Sequence, residues 1–92
     1  MKIIPSPRFL KQVAKYDKKF RERVYKKLDL FSRNKNHPSL RYKSVEALKN
    51  ERPPVKEISI TMNIRITLQE FEDHTYLRNI GGIIYCLRSL KR

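Results

Sequence analysis

Residues 57–69 read EISITMNIRITLQ. Ile58, Ile60 and Met62 alternate with Glu57, Ser59 and Thr61; Ile64, Ile66 and Leu68 alternate with Arg65, Thr67 and Gln69. A period of two is the signature of a pleated strand, whose successive side chains point to opposite faces. Two such strands in succession predict a hairpin. Loop parity then sets its register. A three-residue connection, Thr61-Met62-Asn63, places Ile60 opposite Ile64, Ser59 opposite Arg65 and Glu57 opposite Thr67. A two-residue turn would pair Ile60 with Arg65 and mix the two faces, so the odd loop is expected.

A third strand follows a turn at Glu72-Asp73, with Tyr76, Arg78 and Ile80 alternating with Thr75, Leu77 and Asn79. Pairing Leu68 with Leu77 sets Thr67 opposite Arg78 and Arg65 opposite Ile80. The outcome is a three-stranded meander with an apolar face and a polar face. The polar face carries Glu57, Ser59, Arg65, Thr67 and Arg78.

Upstream the period changes to that of a helix. Lys2-Ile3-Ile4 reads as a short first strand. Ser6-Pro7 is a helix start, Ser as N-cap and Pro at the first helical position. Phe9, Leu10, Val13, Ala14 and Tyr16 follow at helical spacing. Asp17 caps a second helix, in which Phe20, Val24, Leu28 and Phe31 form one apolar stripe. Lys18, Lys19, Arg21, Arg23, Lys26 and Lys27 lie mainly off that stripe, and Asn34 to Pro38 end the helix. The two helices are expected to form a hairpin bent at Tyr16-Asp17 and to cover the apolar sheet face. Leu40, Val45 and Leu48 are candidate anchors for residues 39–54, and Pro53-Pro54 bars regular structure just before the meander. The fold class is thus α+β: an N-terminal helical hairpin on a small antiparallel sheet, made of a short first strand and a three-stranded meander, in a single domain spanning residues 1–92.

The chain has 92 residues, 22 Lys and Arg against 9 Asp and Glu, and a formal net charge of +13. Sixteen of the basic residues lie before residue 55. An excess this large exceeds the need of solubility and points to a polyanionic partner, since Lys and Arg bound to phosphates release condensed counterions. The start, MKIIPSPRF, lacks the apolar core of a signal peptide, and no apolar run approaches the ~20 residues of a membrane span. Cys86 stands alone, which excludes an intrachain disulfide and fits core packing in a reducing compartment. A soluble, cytoplasmic protein with no membrane contact is expected.

Arg65 is the leading candidate for chemistry. A planar guanidinium suits phosphate oxygens and stabilises charge developing on them. The competing reading pairs it with Glu57 across the ladder. Arg78 has the same two readings, and its place near a strand end favours the surface one. Glu57 reads as a salt-bridge partner before a general base. His37 and His74 fall in turns, and neither has a second ligand at metal spacing, so no metal is expected. Gly81-Gly82 opens no phosphate-binding loop. No cofactor is expected.

The order helix, helix, HPSLRYKS, EISITMNIRITL, TYLRNIGG resembles the RelE/ParE superfamily of bacterial type II toxin–antitoxin systems, in its mRNA-interferase and plasmid-stabilisation branches. The matching positions are Pro38, Leu40, Arg41 and Lys43, then Arg65-Ile66, then Ile80-Gly81. The resemblance implies a small basic toxin neutralised by an acidic antitoxin protein. Its target would be mRNA on the ribosome, cut by attack of the 2′-hydroxyl on the adjacent phosphate. It assigns transition-state charge to Arg65, with Lys43 and Tyr85 as further catalytic candidates. RNA contacts would fall to Arg41, Arg78, Arg88 and Lys91, and on the second helix to Lys18, Lys19, Lys26 and Lys27. One departure stands out. Where relatives have His-Asp, this chain has Ile83-Ile84, with Tyr85 beside them. Two alternatives follow: a ParE-like toxin that inhibits gyrase without cutting RNA, and a relative that keeps the fold and the antitoxin but has lost catalysis.

Overall fold

A computed structural model describes residues 2–82. The elements are β1 (Lys2–Pro5), α1 (Pro7–Val13), α2 (Lys18–Arg33), a 3-10 turn (Pro38–Leu40), β2 (Lys43–Ser44), a second 3-10 turn (Glu46–Leu48), β3 (Val55–Ser59), β4 (Ile64–Glu70) and β5 (His74–Gly82). The strands form one sheet in the order β1-β5-β4-β3-β2. β1 runs parallel to β5, and every other pair is antiparallel.

Both helices begin where their caps direct. Ser6 Oγ accepts from the Phe9 amide at 3.0 Å and Asp17 Oδ1 from the Phe20 amide at 2.8 Å, each satisfying one of the donors a helix start leaves open. Val24, Leu28 and Phe31 of α2 are buried with Phe9 and Val13 of α1 against Ile58, Ile60, Ile66, Leu68, Leu77 and Ile80 of the sheet. Leu40 completes this core. α1 departs from its expected stripe: Leu10 and Ala14 are exposed, while Gln12 is buried.

The first hairpin has the expected register, with Glu57 opposite Thr67, Ile58 opposite Ile66 and Ser59 opposite Arg65. Its tip is tied by Thr61 Oγ1, which accepts from the amides of Asn63 (3.2 Å) and Ile64 (3.1 Å). Met62 at the tip is 79% exposed.

The second hairpin corrects the expected pairing. Leu68 does face Leu77, but Thr67 lies opposite Asn79 rather than Arg78, and Arg65 opposite Gly81 rather than Ile80. A β-bulge between Thr67 and Leu68 produces the shift. Its cause is the spacing of Leu77 and Ile80. Three residues apart, they would point to opposite faces in a regular strand. One extra residue lets both enter the core, and both are 1% exposed.

Two further corrections concern the sheet. It has five strands and is mixed, because β1 joins the far side of β5 in parallel and β2 adds a two-residue edge that no periodicity could reveal. The polar face is also less open than expected. Val45 and Leu48 do not join the main core but close a second apolar cluster around Val55 on that face.

Candidate functional site

β4 sends Arg65, Thr67 and Gln69 to the face opposite the helices, and β3 sends Glu57 and Ser59 to the same face. Arg65 Nη1 donates to Glu57 Oε2 at 2.6 Å. Lys43 pairs with Glu57 across β2 and β3, and its Nζ lies 3.7 Å from the same carboxylate oxygen. The result is a row of cation, carboxylate and cation. Its burial is graded: the side chains of Arg65 and Glu57 are 10% and 15% exposed, that of Lys43 is 61% exposed. Charge attraction is strongest at the buried end, where water screens it least.

Two hydroxyls sit beside this row. Ser59 Oγ and Thr67 Oγ1 are buried, and among the described residues neither has a hydrogen-bond partner. A buried hydroxyl without a partner is unfavourable by ~1–3 kcal/mol. Arg41 stands at the Ser59 end. It is exposed, takes the left-handed conformation at φ 49° after the Pro38–Leu40 turn, and lines a cavity of about 180 Å³ with Ser39, Ser59, Thr61 and Met62.

The structure therefore brings Arg65, Lys43 and Glu57 together, with Arg41 at the margin. Arg78 lies apart: the bulge moves it away from Thr67, and it lines a separate cavity with Tyr76. The α2 cations are not part of the row. Lys18, Lys19 and Lys26 are exposed on a helix that packs against the other face of the sheet, and Lys27 is half-buried with Nζ donating to the Ser39 carbonyl at 3.4 Å. Tyr85, Arg88 and Lys91 lie outside the described residues.

The histidines have local roles. His37 Nδ1 accepts from the Ser39 amide at 3.2 Å. His74 stacks on Phe71 and lies 2.7 Å from Asp73, and this hydrogen bond holds the Asp73 carboxyl below the usual carboxylate range. Among the described residues no three His, Cys, Asp or Glu side chains gather as a metal site would require. No helix of the described residues is long and apolar enough to cross a membrane.

One cluster had no sequence signal. The Tyr42 hydroxyl donates to Glu70 Oε1, and Lys35 Nζ reaches Glu70 Oε2 at 3.1 Å. The ammonium groups of Lys35 and Lys56 lie 5.4 and 5.8 Å from the Tyr42 ring centre. Burial, and then the carboxylate of Glu70, hold the Tyr42 phenol well above its ordinary value of 10.0. The cluster fixes residue 42 immediately before Lys43.

No protein-family model matches the chain, and no curated protein matches it in sequence. Solved structures do match. A metal-bound toxin from Helicobacter pylori superposes with a TM-score of 0.70 at 16% identity, over 92% of this chain and 97% of its own. A YoeB/ParE toxin from Agrobacterium tumefaciens gives 0.68 at 9% identity, over 89% and 98%. The heterotetrameric YoeB–YefM toxin–antitoxin complex from Staphylococcus aureus gives 0.67 at 14% identity, over 88% and 94%. The match runs along nearly the whole of each chain at such low identity, so this protein shares the fold of these toxins.

Proposed function

We propose that the protein is the toxin of a toxin–antitoxin pair and that it cuts mRNA on the ribosome. The observation that carries this reading is the Lys43–Glu57–Arg65 row, set on the sheet face away from the helices in a fold shared with YoeB/ParE and YoeB–YefM toxins. In the reaction a 2′-hydroxyl oxygen attacks the neighbouring phosphorus, the bond to the 5′-oxygen breaks, and a cyclic phosphate is left. The guanidinium of Arg65 meets the negative charge that grows on the phosphoryl oxygens. Glu57 orients Arg65 by accepting from Nη1, and Lys43 supplies a second cation at the exposed end of the row. Tyr85 is the candidate proton carrier. An acidic antitoxin would neutralise the net charge of +13, and the pair would act in the cytoplasm, where its target lies.

The test is induced expression of the parent chain, Arg65→Ala and Arg65→Lys, with growth and the integrity of ribosome-bound mRNA as readouts. Growth arrest and mRNA cleavage by the parent, lost in Arg65→Ala, are expected. An Ala variant as toxic as the parent refutes the assignment. Arrest without cleavage, accompanied by loss of gyrase supercoiling, identifies a ParE-like toxin instead.

A second reading rests on the burial of Arg65, which is 8% exposed and bound to Glu57. An arginine held this way serves the fold as well as a phosphate. A relative that binds an antitoxin tightly without arresting growth would carry it in the same place.

A further inference from the structure

A cavity of about 430 Å³ opens on the same sheet face as the Arg65 row but farther along β4 and β5. Its lining includes Ser6, Arg8, Gln69, Tyr76, Arg78 and Asn79. We infer that this cavity is a nucleotide subsite, holding one base of a single-stranded RNA against Tyr76 and its phosphate against Arg78. The inference deepens the mRNA-cutting reading above and rests on it for the identity of the strand.

The lining has the chemistry a nucleotide needs. Tyr76 offers a half-buried ring for stacking, and arginine offers a planar fork for phosphate oxygens. The half-buried Gln69 adds an amide side chain of the kind that meets base edges. Among the described residues Arg78 makes no ion pair. Glu51 also borders the cavity. A carboxylate there opposes a bare polyanion but accepts hydrogen bonds from a base or from a 2′-hydroxyl. This favours a nucleotide over a simple anion.

The walls are held in place. Ser6 Oγ donates to the Arg78 carbonyl at 2.9 Å, and the Ser6 amide donates to the Leu77 carbonyl at 2.9 Å. Gln69 Nε2 donates to the Pro53 carbonyl at 2.8 Å. Gln12 Nε2 donates to Asn79 Oδ1 at 3.3 Å, and Gln12 Oε1 accepts from the Ile80 amide at 2.8 Å. The bulge at Arg78-Asn79 turns the arginine toward the cavity, the re-aiming that bulges supply beside binding sites. Gln69 faces Tyr76 four positions along the ladder from Arg65 and Gly81. At strand rise that is about 14 Å, the reach of a short oligonucleotide rather than of one nucleotide. A strand seated on Tyr76 and Arg78 needs that reach to meet Arg65.

The test titrates the full chain with a fluorescently labelled single-stranded hexanucleotide RNA and with the matching duplex. Tyr76→Ala and Arg78→Gln are expected to weaken single-strand binding about tenfold each, while Tyr76→Phe keeps it and duplex binding changes little. Should Tyr76→Ala lose its circular-dichroism spectrum, Tyr76→Leu keeps the bulk without the π face and makes the same comparison. Unchanged affinity in the Arg78 and Tyr76 variants overturns the subsite, as does an equal loss for duplex. The two readings fail separately. If the parent chain cuts no mRNA but Tyr76→Ala still weakens single-strand binding, the cleavage reading falls and the subsite stands. If the parent cuts mRNA and the Tyr76 and Arg78 variants bind and cut with unchanged affinity, the subsite alone falls.

Discussion

Replacing Gln12 with methionine tests the junction of α1 with the bulge. Gln12 is 7% exposed and is a clamp with two jaws: its carbonyl takes the Ile80 amide at 2.8 Å, and its amide reaches Asn79 at 3.3 Å. Methionine keeps the length and removes both. Ile80 and Asn79 are 1% and 2% exposed, so water does not readily replace the lost partner. A buried amide left unmet is unfavourable by ~1–3 kcal/mol, and the weaker Asn79 contact contributes about 1 kcal/mol more. The thioether regains part of this through apolar burial. The expected net loss is about 2–3 kcal/mol, a large fraction of the ~5–15 kcal/mol available to a small domain. Urea unfolding followed by circular dichroism should show a lower midpoint with an unchanged slope. The melting temperature should fall by ~10–20 °C. Gln12→Glu keeps an acceptor for Ile80 but sets a carboxylate against Asn79 Oδ1 in a site closed to water, and should lose at least as much as Gln12→Met at neutral pH. A Gln12→Met variant within about 0.5 kcal/mol of the parent would refute the claim that these two bonds hold the bulge to the helix.

Tyr42→Phe removes the phenol and its bond to Glu70. The folded phenol is held above its ordinary value of 10.0, so the native state keeps a proton that the unfolded chain releases as pH rises past 10. The contribution is thus full below pH 10 and is lost as pH climbs toward the folded value. Stability of the parent should therefore drop more steeply than that of Tyr42→Phe in alkaline unfolding curves. Equal slopes would refute it. Asp17→Ala should cost about 1 kcal/mol through loss of a helix cap. Ser6→Ala should cost more in the same urea assay, because Ser6 caps α1 and also donates to the Arg78 carbonyl; equal losses would show that the second bond contributes nothing.

How far the sequence could be read depended on whether one face was buried. In residues 57–69 a slip of one position would have turned Ile58, Ile60, Ile64, Ile66 and Leu68 to water, so pattern and loop parity together specified the register that the structure has. The next hairpin carried its own warning in the three-residue step from Leu77 to Ile80, which strict alternation overlooks and a bulge resolves. β2 has two residues, too few for any period. The parallel pairing of β1 with β5 depends on where the helices return the chain, and local pattern contains no such information. Within the site, the link between Arg65 and Glu57 was one of two readings open from the ladder alone. Lys43 entered only through the family resemblance. The lysines of α2 read correctly as a basic helix face, but only the layering shows that this face lies across the sheet from Arg65. The contact of Gln12 with Asn79 left no mark in the sequence, because nothing beside either residue signals a polar pair that is shut off from water.

The parallel strand pair also bears on how the molecule is made. Lys2 lies beside His74 and Pro5 beside Leu77, and the Ser6 hydroxyl joins the Arg78 carbonyl across 72 residues of sequence. These contacts form only after β5 has been synthesised. Until then β1 has no neighbouring strand, and the sheet is missing the member that carries Leu77 and Ile80 into the core. Closing so long a loop is entropically slow. A nascent chain must therefore wait until β5 has left the ribosome before this sheet can close, and β1 and both helices are made well before the strand that holds them.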